Sequence, residues 1–184
     1  MMPFMPSQPD EGPCSDCGFS WSIDIGDAIR LVQSAPEDFR DVFAKGVDKD
    51  DRAGGWSSTG YLWHVVDVLR FGTERLWTLA LDPTSGVPGW DQERLAEARS
   101  YERLSLIVGL RALEVATADW VRAAEDAPLT ATVTHPTLGE LAASHSIRRN
   151  AHEVQHHARD IKRLRDRSDT RVCVRKPGST KMLG

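Results

Sequence analysis

The segment HEVQHHARDI at residues 152–161 holds the densest group of metal-ligating side chains in the sequence. Two pairs of ligands stand four residues apart in it: His152 with His156, and Glu153 with His157. Residues four apart share one face of an α-helix, so either pair could bind a single ion. Imidazole nitrogens and carboxylate oxygens are common ligands of zinc. The segment therefore indicates a metal site on a helix.

The helical rotation of about 100° per residue indicates which pair faces the protein core. The apolar residues of this helix lie within about 80° of one another and define a buried stripe, which comprises Ile147, Ala151, Val154, Ala158 and Ile161. His157 lies about 80° and Glu153 about 120° from the middle of that stripe, on the same flank. His152 and His156 lie about 140° or more away, so we expect them to point to solvent.

A further histidine, His64, stands in the segment YLWHVVDVL of an earlier helical pattern. It lies about 110° from the centre of the apolar stripe of that helix, at the border of the core. A His64, Glu153 and His157 set leaves at least one coordination position open, as reactive metal sites do. The alternative is a half-buried His64 bonded to a polar neighbour, with Glu153 and His157 forming an ordinary charged helix flank.

The CxxC pair of Cys14 and Cys17 offers a second candidate site. Together with His152 and His156, these cysteines would form a Cys2His2 zinc site if the N-terminal segment folded across the outer face of the last helix. The two halves are far apart in sequence, so exposed histidines with a free CxxC remain the alternative. The other cysteine and histidines are assigned to the tail, a loop and the surface: Cys173, His135 and His145.

Four helical patterns must position these residues, over about residues 24–44, 57–81, 101–125 and 137–167. Pro36 predicts an interruption of the first helix, and Ser57 or Ser58 is the candidate N-cap of the second. The segment TLGE at 137–140 has the pattern of a capping box that opens the fourth. Residues 130–135 alternate like a strand, but Pro136 follows at once and favours a loop.

These elements predict an all-α protein, an antiparallel four-helix bundle with an irregular N-terminal arm. A length of 184 residues suits one domain. We expect an arm with the CxxC over residues 1–20, a metal-binding bundle over 21–168 and a flexible tail over 169–184.

Charge and hydrophobicity exclude several classes of function. The net charge of −4 argues against an extended nucleic-acid surface. No apolar run approaches the about 20 residues that a membrane span requires. The N-terminal sequence lacks the basic start and apolar stretch of a secretory signal, and three cysteines are too few for a disulfide framework. We therefore expect a cytoplasmic protein.

A single histidine on the second helix and a ligand-x-x-x-His pair on the fourth resemble the DinB-like superfamily, which includes mycothiol-dependent maleylpyruvate isomerase. The isomerase-type motif on the fourth helix looks like Glu-x-x-x-His-x-x-Asp, and Glu153, His157 and Asp160 stand at those spacings. The match on the second helix is WHVVD at 63–67. The PGWD segment at 88–91 and the CxxC arm are similar to a bacterial subgroup of this superfamily. The resemblance covers roughly residues 14–167.

The resemblance implies a divalent metal, usually zinc, that binds the thiolate of a low-molecular-weight thiol such as mycothiol. The known activities are mostly thiol-dependent transferases or isomerases. Asp160 would orient one metal ligand, or alternatively pair with Arg163 as an exposed acid. The expected partners are a small thiol and an electrophile, with no nucleic acid and no membrane, and a homodimer is left open. The competing hypothesis is a non-catalytic metal-binding bundle that acts through a protein partner.

Overall fold

A computed structural model describes residues 12–45, 47, 52, 55–136 and 139–173, with side chains through residue 164. Its helices and strands are α1 (Ile25–Ala44), α2 (Ser58–Leu81), α3 (Gln92–Arg99), α4 (Leu106–Glu125), β1 (Thr132–His135), β2 (Gly139–Ala142) and α5 (Ala143–Cys173). Single 3-10 turns stand at Pro83–Ser85 and Tyr101–Arg103. Within the described ranges, no helix has the length and apolarity needed to cross a membrane.

The four long helices α1, α2, α4 and α5 form a bundle, which confirms the predicted fold class; a small hairpin is added to it. Helix α1 packs against α4 and α5, and α2 packs against the same two helices. Helices that follow each other in the chain, α1 with α2 and α4 with α5, therefore occupy opposite corners. This order places α2 beside α5, the two helices that carry the predicted ligands of the bundle site.

Helix α1 begins after Asp24, whose carboxylate accepts a hydrogen bond of 2.8 Å from the Gly26 amide. The predicted interruption at Pro36 is wrong, because the helix continues through it. A proline inside a helix removes one backbone hydrogen bond and costs about 3 kcal/mol. The buried side chains of Val32 and Phe39, on either side of the proline, contribute about 1.5–3 kcal/mol each and offset this cost.

A short antiparallel hairpin precedes α5, where the sequence predicted a loop and then the start of a helix. Strand β1 pairs with β2, and the buried residues Val133 and Leu141 lie opposite each other. Pro136 stands just beyond β1, where it interrupts no ladder hydrogen bond. Gly139 has a φ of 71°, in the left-handed region that a helix does not use, so α5 begins only at Ala143.

Other boundaries differ by a few residues from those predicted. The third long helix begins at Leu106, because α3 and a 3-10 turn take up the residues before it. The backbone of α5 continues to Cys173, past the predicted end at residue 167. His135 is a buried residue of β1 rather than part of a loop, and His145 is half-buried on α5. Residues 137–138 of the predicted capping box lie outside the described residues, and the division into arm, bundle and tail stays a prediction.

A buried carboxylate, Asp67, fastens the connection between α3 and α4 to α2. It accepts hydrogen bonds from the Tyr101 hydroxyl and the Arg99 guanidinium, and Arg70 lies 3.4 Å from it. A buried charge needs such partners to compensate for the loss of water. Because Asp67 follows His64 by three residues, this contact also holds the end of α2 that carries the histidine.

Replacing Asp67 with Ala should lower the free energy of unfolding by about 3–5 kcal/mol, because Arg99 and the Tyr101 hydroxyl lose their buried acceptor. Tyr101→Phe, which removes one donor only, should cost about 1–3 kcal/mol. Urea unfolding followed by circular dichroism measures both. The control is Asp119→Ala, which removes an exposed acid 3.8 Å from Arg122 and should stay within about 0.5 kcal/mol. Equal losses for the Asp67 and Asp119 variants would contradict this role of Asp67.

Candidate metal centre

Three ligands from two helices converge between α2 and α5. The candidate ligand atoms of His64, Glu153 and His157 all lie within 4.8 Å of one another. His64 Nε2 is 3.4 Å and His157 Nε2 is 3.3 Å from the same oxygen, Oε2 of Glu153. The structure thus brings together the three residues that the sequence singles out for the bundle site. Their binding of a metal stays a prediction at this point.

Aromatic rings explain why His64 is fully buried rather than at the border of the core. The ring centroids of Trp56 and Trp90 lie 4.9 Å and 5.9 Å from that of His64. Tyr61, one helical turn before His64, stacks on His157 with a centroid distance of 5.1 Å. Trp56 and Trp90 stand near helix ends, which makes them candidates for a pocket from sequence alone. Tyr61 was not identified from the sequence, although its i,i+3 spacing from His64 was the available signal.

Asp160 orients the His157 ring. Its Oδ2 atom lies 3.1 Å from His157 Nδ1, on the side of the ring away from Glu153. A carboxylate that accepts a proton from Nδ1 leaves the Nε2 lone pair directed at the other ligands. Arg163 Nη1 lies 3.9 Å from the other oxygen of Asp160. Both roles considered for Asp160 are therefore compatible with its position, one on each carboxylate oxygen.

Burial and hydrogen bonds set the protonation states of the site. Burial lowers the pKa of His64 despite its hydrogen bond with Glu153, so the ring is neutral. Burial acts to raise the pKa of Glu153, but hydrogen bonds from His157 and His64 outweigh it and hold that pKa well below the ordinary value. For His157, burial acts to lower the pKa, but hydrogen bonds to Asp160 and Glu153 raise it to about 9. Without a metal, a protonated His157 thus lies between two carboxylates.

The spacing and chemistry of these donors fit a divalent cation. Two ligand atoms that are each about 2.0–2.2 Å from a tetrahedral ion lie about 3.3–3.6 Å apart. The two separations between Glu153 and the imidazole nitrogens, 3.3 Å and 3.4 Å, agree with this spacing. The carboxylate is ionised and His64 is neutral, which are the forms that bind metals. A cation would have to displace only the proton on His157.

A cleft of about 520 Å³ opens onto Glu153 and His157. Trp56 and Tyr61 provide its aromatic wall, and Gln92, Glu93 and Asp160 contribute polar groups, as listed here with Gly55, His152 and His156. The described residues that line it include no serine, threonine, cysteine or lysine. A nucleophile for chemistry in this cleft would therefore have to come from a small molecule.

The prediction that His152 and His156 point to solvent is wrong. His152 is buried and His156 is half-buried, because the N-terminal arm packs over this face of α5. Phe19 and Trp21 contact His152 with centroid distances of 5.4 Å and 4.7 Å. The arm also brings together the second predicted set of ligands, whose atoms all lie within 4.8 Å of one another: Cys14, Cys17, His152 and His156.

A family model of the DinB superfamily matches residues 27–161 of this chain, which is most of its length. The chain belongs to the DinB superfamily. This result confirms the resemblance carried by the motifs on α2 and α5. The matched range includes all three ligands of the bundle site, whereas the CxxC arm precedes it.

Among solved structures, the chain is similar to YfiT from Bacillus subtilis, described as a probable metal-dependent hydrolase with an unusual four-helix bundle topology. The TM-score is 0.71 at 16% sequence identity, over 80% of this chain and 91% of YfiT. At this identity the similarity shows the fold of a DinB-superfamily bundle and not its reaction. A search of curated proteins finds no match.

The protonated His157 predicts a pH dependence for the metal-free protein. Its pKa is raised from 6.5 to about 9 in the fold, so its stabilising contribution is complete below pH 6.5 and is lost as the pH rises through 9. The expected loss is of the order of 3 kcal/mol in urea unfolding across that window. Nuclear magnetic resonance of the His157 ring checks the pKa directly.

Asp160→Asn should lower the pKa of His157, because it removes one of the two carboxylates that hold the proton. Asp119→Asn, on the exposed surface of α4, is the matched control and should leave the titration unchanged. A ring that titrates near its ordinary value of 6.5 in the metal-free wild type would show that the two carboxylates do not hold the proton.

Proposed function

We propose that this DinB-superfamily protein binds one divalent cation, most simply zinc, through His64, Glu153 and His157, and acts on small molecules in the adjoining cleft. The observation that supports this proposal is the meeting of two imidazoles at one carboxylate oxygen, with the separations that a shared ion requires. Three protein ligands leave at least one coordination position open. The description of YfiT as a probable metal-dependent hydrolase adds support from a protein of the same fold.

We further propose that the nucleophile is a small thiol such as mycothiol, and that the reaction is its transfer to an electrophile or a thiol-dependent isomerisation. A divalent cation in the site would favour the thiolate over the thiol at neutral pH. The lack of a serine, threonine, cysteine or lysine among the described cleft residues agrees with an external nucleophile. The motif resemblance to thiol-dependent members of the superfamily points to the same class.

The side chains around the cleft divide the remaining tasks. Asp160 holds the His157 ring in the tautomer that directs Nε2 toward the open position. Burial, followed by the charges of Asp160 and Glu93, raises the pKa of Tyr61. Its hydroxyl therefore stays protonated at neutral pH and is available to donate a hydrogen bond to a bound electrophile. The ring of Trp56 offers an apolar surface to the same molecule.

Metal-dependent hydrolysis is the second candidate, because the structural neighbour is described as a probable hydrolase. It would use the same three ligands and the same cleft, with water in place of the thiol. The two candidates differ in one requirement that can be measured, which is the need for an added thiol. A binding protein without turnover is the third outcome and corresponds to the non-catalytic hypothesis.

His64→Ala and His157→Ala should each remove one equivalent of bound metal, because each leaves only two ligands in the bundle site. Asp160→Asn should keep the ion but weaken its binding about 10–100-fold, because the His157 ring loses its orienting partner. Metal analysis and competition with a chelator measure these effects on protein without a histidine tag. His145→Ala, a half-buried histidine of α5 outside the site, is the control and should bind as the wild type does. Unchanged stoichiometry and affinity in both histidine variants would rule out the assignment.

The reaction class is tested by supplying electrophiles and ester or amide substrates to metal-loaded protein, with and without mycothiol or a related thiol. Product that appears only with thiol, and disappears in His157→Ala but not in His145→Ala, supports the thiol-dependent proposal. Hydrolysis without thiol would replace it by the hydrolase. The absence of both activities, in protein shown to hold its metal, would favour the non-catalytic binding protein.

A further inference from the structure

The arm that carries the CxxC pair folds as a tight knuckle. The Gly18 amide donates to the Cys14 carbonyl at 2.7 Å, and the Cys14 amide donates to the Phe19 carbonyl at 2.9 Å. Gly18 has a φ of 73°, which a residue with a side chain rarely adopts, so the turn depends on glycine. The turn presents the sulfur atoms of Cys14 and Cys17 to the same face of α5.

Contacts along its length dock the arm on α5. Gln155 donates to the Cys17 carbonyl at 3.1 Å, and Arg163 donates to the Asp16 carbonyl at 2.8 Å. Phe19 is buried in the same interface. These contacts hold the knuckle in register with α5 on both sides of the CxxC, so the approach of the sulfur atoms to the helix is supported independently of any ion.

Two histidines of α5 meet the two sulfur atoms. Cys14 Sγ lies 3.8 Å from His156 Nδ1, and all four ligand atoms lie within 4.8 Å of one another. The His152 side chain is buried, and its Nε2 atom has no hydrogen-bond partner among the described residues. Zinc bonds of about 2.3 Å to sulfur and about 2.0–2.1 Å to nitrogen place two such ligands about 3.5 Å apart. A contraction of a few tenths of an ångström would therefore complete a tetrahedral site.

We propose that Cys14, Cys17, His152 and His156 bind a second zinc ion, which fastens the N-terminal arm to α5. Two thiolates and two imidazoles are a closed set of four, typical of structural rather than reactive zinc. Binding releases the two thiol protons and changes no oxidation state. The site gives the unpaired His152 Nε2 a partner, which a disulfide between the two cysteines would not do. It lies outside the range matched by the superfamily model, which begins at residue 27.

The arm site also bears on the bundle site, on the condition that the latter holds its own ion as proposed above. His156 Nε2 lies 3.6 Å from Asp160 Oδ2, the same oxygen that lies 3.1 Å from His157 Nδ1. One carboxylate thus faces an imidazole ligand of each centre. His152 and His156 moreover line the cleft. The arm zinc therefore fixes one wall of the cleft and one neighbour of Asp160.

Cobalt replacement separates the two centres, because only the arm site contains sulfur. We expect reduced wild-type protein, without a histidine tag, to bind two equivalents and to show a sulfur-to-cobalt charge-transfer band. The double variant Cys14→Ser/Cys17→Ser should lose one equivalent and the whole band. His64→Ala should lose one equivalent and keep the band, so failure of the bundle site is distinguishable. Cys173→Ser, which changes the third cysteine of the sequence, is the matched control and should keep both.

Alkylation of the wild type tests the same site without a mutation that could impair folding. Zinc should protect Cys14 and Cys17 from iodoacetamide, and a chelator should remove that protection at both together, as read by peptide mass spectrometry. A wild type that shows no charge-transfer band when fully reduced would overturn the proposal. So would a band that survives in the double cysteine variant, or equal alkylation of the two cysteines with and without zinc.

Discussion

The contact on which the site depends is the carboxylate of Glu153, held between imidazoles from α2 and α5. Burying a charge in this position is unfavourable unless an opposite charge accompanies it. The protonated His157 supplies only one positive charge, while Asp160 adds a second carboxylate on its other side. A divalent cation carries the charge that both carboxylates together require. The same electrostatic demand thus explains the raised pKa of His157 and the suitability of the pocket for a metal.

The order of helices in the bundle makes this contact possible, and the segments outside the long helices give the cleft its character. Placing α1 opposite α2 and α4 opposite α5 leaves α2 beside α5. The ligands come from these two rigid elements, whereas Gln92 and Glu93 come from the short α3 and Trp56 precedes α2. Ligand geometry and substrate contacts therefore reside in different parts of the chain. A shared superfamily fold fixes the former more than the latter, which is why fold similarity alone does not name a substrate.

Local periodicity was sufficient to predict what depends on one helix, and it failed where distant segments meet. Glu153 and His157 are four residues apart, so their common face followed from helical geometry alone. The burial of His152 depends instead on Phe19 and Trp21, which no helical wheel of α5 contains. Likewise, TLGE matches a capping box, but Gly139 lies in a hairpin because β1 pairs with it. The capping pattern is local, whereas the pairing with β1 that displaces it is not.

Asp160 shows why the arm and the bundle are not independent structures. Its Oδ2 atom faces His157 on one side and His156 on the other, at 3.1 Å and 3.6 Å. An acceptor shared between two donors is a weaker acceptor for each, so the orientation of the His156 ring affects how strongly Asp160 holds His157. That ring is in turn positioned by the arm, since its Nδ1 atom lies 3.8 Å from Cys14 Sγ. The charge on the His157 ligand therefore depends, through two hydrogen-bonding steps, on a segment that lies before the superfamily's own sequence range.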